Sequence, residues 1–202
     1  FQRGNWATDG DLSKHDGSKK LAMPMNAPSI ALNRYTVRLF NALYYQLQKQ
    51  GASHQRLHYA PFFYPLDAVH DWNRLYGRRG FYQYQCVIPL TAAAPAIEEL
   101  LQRIAASGAG SFLAVLKTLG AKPSPGMLSF PLEGVTLALH FANDGERTHR
   151  LLASLDDVVR EARGRLYPAK DGRMPAAMFK AGFPRLEDFT KHVDPALSSD
   201  FW

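Results

Sequence analysis

The sequence predicts an α+β fold, an antiparallel β-sheet with helices packed on one face. Three features carry that prediction. Period-two alternation recurs at 81–88, 111–119 and 135–141. Amphipathic helical patterns fill 91–107 and 145–162. Some links between strands are too short to be the crossovers that a parallel sheet requires.

Residues 1–33 read as a flexible loop or linker. The stretch Asp9 to Lys20 is polar, contains glycine and has almost no apolar anchor, and Pro24 and Pro28 prolong the irregularity. Residues 34–202 read as the folded domain. It opens with a helix over 34–50, where Leu39, Phe40, Leu43, Tyr44 and Leu47 recur at spacings of three and four and Gly51 supplies a stop. An aromatic extended stretch, Leu57 to Tyr64, ends at Pro65; a short helix falls within 66–76, and Gly77 and Gly80 bracket a turn.

In the strand over 81–88, Phe81, Gln83, Gln85 and Val87 share one face, and Tyr82, Tyr84, Cys86 and Ile88 the other. The helix over 91–107 is expected to be capped by Thr91, to bury Ile97, Leu100, Leu101 and Ile104, and to end at Gly108. A strand over 111–119 puts Leu113, Val115, Lys117 and Leu119 on one face, read as core-side. After a loop at 122–126 come a short strand at 128–130 and a clear one at 135–141, with Val135, Leu137, Leu139 and Phe141 opposite Thr136, Ala138 and His140. The helix over 145–162 buries Leu151, Leu152, Leu155, Val158 and Val159, and Gly164 stops it. Extended chain at 165–168, a turn at 169–173 and short helices near 176–181 and 185–192 complete the domain. The two strand–helix–strand passages echo a ferredoxin-like arrangement.

The bulk composition narrows the function classes. The chain has 202 residues, 46% hydrophobic and 12% aromatic, which suits a packed core. No apolar run approaches the roughly 18–20 residues of a membrane helix. The polar start carries no secretory signal, and the absence of an initiator Met reads as a fragment or processed chain. The only cysteine, Cys86, allows no internal disulfide and no cysteine-rich metal site. The net charge of +6 is spread over dispersed residues, with no arginine-rich helix or aromatic–basic motif, so nucleic acid is not an expected partner.

Common catalytic motifs are missing: no GxGxxG after a strand, no Walker loop, no HExxH and no GxSxG elbow. His54 and His58 lie too far apart on an extended segment to share a metal, and no metal is expected. Gln83 and Gln85 place two amides about 7 Å apart on one strand face. They are either a solvent-facing pair on an edge strand or a polar wall for a polyhydroxylated ligand. Lys117, among Leu113, Val115 and Leu119, either snorkels outward or meets a buried anionic partner such as a phosphate, a flavin or an alkoxide. Taken alone, Lys170 is an ordinary lysine in a surface turn.

Five segments in order carry a resemblance. They are Phe63-Tyr64-Pro65-Leu66-Asp67 with Asp71-Trp72-Asn73-Arg74-Leu75-Tyr76-Gly77; Gly80 to Pro89; Ser107-Gly108 with Ser111-Phe112-Leu113 and Val115-Leu116-Lys117; Leu128-Ser129-Phe130-Pro131 with Gly134-Val135; and Gly164 to Asp171 with Pro184-Arg185 and Asp194-Pro195. From about residue 57 onward the chain resembles the C-terminal, substrate-binding part of FAD-linked oxidases of the decaprenylphosphoryl-β-D-ribose 2′-oxidase kind, within the vanillyl-alcohol-oxidase superfamily.

The resemblance implies that this part covers the isoalloxazine ring of an FAD held mainly by a separate N-terminal domain, so that the chain alone is not expected to turn over. It implies oxidation of a secondary sugar hydroxyl on a polyprenyl phosphate carrier, with a short-chain reductase as partner in a 2′-epimerisation. It implies a cytoplasmic location or peripheral contact with the inner membrane. Residue by residue, Lys170 falls on the family's active-site lysine and Tyr167 on a tyrosine beside the flavin. Gln83, Gln85 and Lys117 fall on residues lining the substrate pocket, and Lys117 and Lys170 are both candidate flavin contacts. Ala138 stands where the family has a pocket cysteine, Thr136 where it usually has Asn, and Phe63 where a tyrosine is often found. Two other readings stay open: an aldonolactone or polyol oxidase on the same scaffold, and a non-catalytic module binding a sugar or lipid phosphate.

Overall fold

A computed structural model of the protein describes residues 7–8, 21–28, 34–49, 59, 69–111, 113–170 and 172–197. The four-stranded antiparallel sheet is made of β3 (Phe81–Pro89), β4 (Ala114–Leu119), β5 (Gly134–Ala142) and β6 (Arg165–Leu166), in the order β4-β5-β3-β6. Between them run α2 (Leu90–Ser107) and α3 (Glu146–Glu161). Because β5 lies between β3 and β4, the units β3–α2–β4 and β5–α3–β6 interleave as two split β-α-β units, the arrangement that the sequence echoes.

Register decides which side chains meet. Tyr84 opposes Leu139, Cys86 opposes Leu137 and Ile88 opposes Val135. That face is covered by Ile97, Leu100 and Ile104 of α2 and by Leu152, Leu155 and Val159 of α3, which together form the core. Both helices therefore lie on one side of the sheet, as predicted. The opposite face carries Gln83 against His140, Gln85 against Ala138 and Val87 against Thr136, with Val115 and Lys117 of β4 beside Ala138 and Thr136.

Several local expectations are corrected. Pro89, in extended geometry, precedes α2, so Thr91 sits inside the first turn and does not cap it. Leu101 points outward from α2. The segment 128–130 forms no strand: Ser129 donates to the Gly126 carbonyl, and the Ser124 and Ser129 hydroxyls bond at 2.6 Å, which holds a turn. The residue that ends α3 in a left-handed conformation is Arg163, at φ 55°, rather than Gly164. Gly164 is required next to it because a Cβ there would lie 2.6 Å from the Val87 carbonyl oxygen. By contrast, Gly108 ends α2 in a left-handed conformation as expected.

Helix α1 spans Arg34–Lys49, but Leu39 and Leu43 are exposed, and among its residues of described burial Val37 is the buried one, against Gly110. Within the stretch read as a linker, β1 (Leu21–Ala22) pairs in parallel with β2 (Val69–His70), and the Arg74 guanidinium donates to the Met23 carbonyl at 2.8 Å. The expected helix within 66–76 is a 3-10 turn over Trp72–Tyr76. The polar stretch 9–20, the histidines at 54 and 58 and the aromatic segment except Tyr59 lie outside the described residues. Short helices α4 (Ala176–Gly182) and α5 (Leu186–Thr190) follow β6. Among the described residues no helix is long and apolar enough to cross a membrane.

Candidate functional site

The face of the sheet opposite α2 and α3 holds a small open cleft of about 130 Å³, lined by residues that include Gln83, Gln85, Lys117, Thr136, Ala138, His140 and Lys170. Its floor comes from strand alternation: each of these β3 and β5 side chains is one residue out of phase with the core. Gln85 donates from Nε2 to the Thr136 hydroxyl at 3.2 Å, and Gln83 Nε2 lies 2.9 Å from His140 Nε2. The two glutamines are thus hydrogen-bonded members of a polar wall on a central strand, not a solvated edge pair.

Lys117 requires a correction. Its face of β4 is the cleft side, not the helix-packed side, and its side chain is exposed. Among the described residues β4 is the edge strand, and α2 and α3 cover β3 and β5 instead, so even the helix-side Leu116 is exposed. Among the described residues Lys117 makes no ion pair, so its ammonium is available to the cleft.

Lys170 closes a 3-10 turn over Pro168–Lys170 that follows β6. The Tyr167 N–H donates to the Gln85 carbonyl at 2.9 Å, and the Lys170 N–H donates to the Tyr167 carbonyl at 3.1 Å. Two hydrogen bonds therefore relate the lysine's backbone to the strand that carries the glutamines. The Tyr167 ring stacks on Phe130 at 4.6 Å, beside the cleft rather than among its lining residues. Gln83, Gln85, Lys117, Ala138 and Lys170 meet in one place, and Phe63 lies outside the described residues.

The residue that sequence reasoning missed is His140. It is buried, and burial together with the Lys170 ammonium holds its imidazole at about 4, so the ring is neutral near pH 7. As the Gln83 amide donates to Nε2, the ring proton resides on Nδ1, a buried atom with no hydrogen-bond partner among the described residues. Trp72 lies on the ring and Phe81 beside it, with centroids 5.3 and 5.1 Å away. Alternation puts His140 on the Ala138 face, but only the β3–β5 register shows that it opposes Gln83.

The chain is 35% identical over 190 residues to the decaprenylphosphoryl-beta-D-ribose oxidase of Mycolicibacterium smegmatis, an alignment covering 92% of this chain and 40% of that protein. The chain is homologous to the C-terminal part of that oxidase. A protein of Streptomyces coelicolor named as an uncharacterized protein in the mprA 5′ region is 33% identical over 132 residues, 63% of this chain and 35% of that relative. No family model matches the chain. The chain thus spans 40% of the length of the ribose oxidase.

A cleft of about 130 Å³ is well below the roughly 300–1,000 Å³ that encloses a drug-sized ligand, so it does not hold a whole FAD or a whole lipid-linked sugar. Its donors fit a narrower task. Two ammonium groups, two amides and a hydroxyl suit one wall against the oxygens of a polyhydroxylated or anionic ligand.

Proposed function

We propose that this chain is the substrate-side part of an FAD-dependent oxidoreductase that oxidises a secondary hydroxyl of a sugar, with polyprenyl-phosphate-linked ribose as the substrate. The observation that carries the reading is the convergence of Gln83, Gln85, Lys117, Ala138 and Lys170 on one cleft. Residues 34–202 act as the substrate-binding domain, and the FAD is held mainly by a part of the protein outside this chain.

The roles follow from the side chains. Gln83 and Gln85 hold sugar hydroxyls, with Thr136 orienting the Gln85 amide. Ala138, the smallest lining side chain, leaves room where the sugar ring approaches the sheet. A bound flavin supplies the hydride acceptor. The Lys170 ammonium stabilises negative charge at the reacting oxygen and at the flavin edge, where a fixed cation gains most because water is excluded. Lys117 adds a second cation at the rim, suited to flavin or phosphate oxygens. Tyr167, held against Gln85 and Phe130, supplies an aromatic surface for the flavin. The polyprenyl chain stays in the bilayer, so the protein works in peripheral contact with the membrane, and a short-chain reductase takes the keto product onward.

The test is the visible spectrum of the protein at its full natural length, recorded before and after anaerobic addition of polyprenylphosphoryl ribose. Bleaching of a flavin band supports both the cofactor and the substrate class. A flavin band unchanged by this substrate but bleached by a small polyol or aldonolactone moves the substrate. Absence of flavin overturns the oxidoreductase reading.

A further inference from the structure

Lys170 ends a three-residue 3-10 turn, and its side chain is exposed with no ion pair among the described residues. A lysine side chain carries several rotatable bonds, so its direction into the cleft depends on how firmly the turn is held at both ends. On the incoming side, Tyr167 is hydrogen-bonded to Gln85. Three residues beyond Lys170 the chain is held again, and differently. Arg173 Nη1 and Nη2 donate to Asp156 Oδ2 and Oδ1 at 2.8 and 2.9 Å, a bidentate pair with side chains only 15% and 8% exposed. Asp156 sits on the buried face of α3, among Leu152, Leu155 and Val159, and the Arg173 guanidinium lies 5.9 Å from the centre of the Tyr84 ring.

A buried ion pair is a weak way to gain stability, because desolvation offsets most of the attraction, and apolar residues of similar volume commonly do as well. Its distinguishing property is direction: a planar guanidinium on a carboxylate fixes angle as well as distance. Here the pair ties Arg173, three residues after Lys170, to a helix packed on the opposite side of the sheet from the cleft.

We propose that Arg173 and Asp156 are positioning residues for Lys170, a clamp that anchors the outgoing end of its turn to α3 and so holds the ammonium over the cleft. The inference rests on the reading of Lys170 as the working cation of the site. Its test uses neither flavin nor sugar, so its failure is distinguishable from failure of that reading. The probe is His140, which lines the same cleft and senses the Lys170 charge.

The titration midpoint of His140 is measured by NMR in the full 202-residue chain, in four forms: wild type, Lys170→Met, the double variant Asp156→Leu/Arg173→Met, and the triple variant. The double variant removes one charge of each sign and keeps volume, and a thermal melt checks that it folds. Lys170→Met is expected to move the midpoint up from about 4, because a neighbouring cation is gone. The double variant moves it in the same direction, and adds nothing further once Lys170 is absent. Three results overturn the proposal: a folded double variant with the wild-type midpoint, a shift that persists undiminished in the triple variant, or no response to Lys170→Met. Arg173→Lys gives an independent check. It keeps the charge but loses the bidentate geometry, and is expected to give an upward shift of its own; a midpoint identical to wild type counts against the clamp.

Discussion

Trp72 lies almost flat on His140: the ring centroids are 5.3 Å apart and the planes differ by 12°. The stack helps to bury an imidazole that the unfolded chain would expose, and the consequence is a pH dependence. His140 has its midpoint at about 4 in the folded protein, against about 6.5 when unfolded. Between those values the unfolded chain binds more protons, so stability is fully present above about pH 6.5 and is lost as pH falls through 4. The loss amounts to on the order of 3 kcal/mol. Urea unfolding at pH 7 and pH 4 measures it, and His140→Gln is expected to remove that share of the difference.

Cys86 provides a reporter of core opening. It is fully buried between the sheet and its helices, and burial pushes its thiol up to about 12. It is the only cysteine in the chain. A thiol reagent at pH 8 is expected to leave the folded protein unmodified and to label one group per chain once urea unfolds it. Labelling without denaturant at the rate of a free thiol would contradict the packing described for β3.

Gly164 is expected to tolerate no side chain. A Cβ there would lie 2.6 Å from the Val87 carbonyl oxygen and 3.2 Å from that of Val159, and neither backbone atom can step aside. Gly164→Ala is expected to lower unfolding free energy by about 2–3 kcal/mol, read from denaturant midpoints. Since Gly164 leads directly into β6, the same change is expected to disturb the turn that presents Lys170.

Lys170→Met separates function from stability. The side chain is exposed, so unfolding free energy is expected to change by less than about 0.5 kcal/mol. If the proposed role is right, the rate of flavin reduction by the sugar falls by about 10²–10³ in the full-length protein, the scale for losing one preorganised charge-stabilising group. Stopped-flow absorbance under anaerobic conditions measures it. A variant that reduces flavin at the wild-type rate removes Lys170 from the chemistry.

Much of this architecture was legible in the residues. Alternation assigned Gln83 and Gln85 to the face away from Tyr84, Cys86 and Ile88, and the helical spacing of Leu152, Leu155 and Val159 marked the cover of the core. What alternation cannot give is which face of an edge strand is covered. Lys117, flanked by Val115 and Leu119, reads as core-side from β4 alone; its pairing with Thr136 puts it on the cleft face. His140 was hidden for a related reason, since its partners Gln83 and Trp72 are distant in sequence and meet it only through register. The ion pair of Asp156 with Arg173 gave no local signal, because a single acid on the apolar face of a helix does not name its partner. The resemblance, not periodicity, singled out Tyr167 and raised Lys170 above an ordinary turn lysine.

The position of Lys117 has an outcome beyond the cleft. Among the described residues β4 ends the sheet, and Leu116 on its helix side is 58% exposed. Such a border invites another chain to continue the ladder, and a charged residue on it is a common deterrent to self-association. Lys117, exposed between Leu116 and Thr118, has the character of such a deterrent. If Lys117 also serves the proposed chemistry at the rim, the same ammonium answers to two selections at once. A change to valine that tightened the cleft for a less charged ligand would also strip a guard against sheet-to-sheet aggregation, which limits how freely this position can drift as specificity evolves.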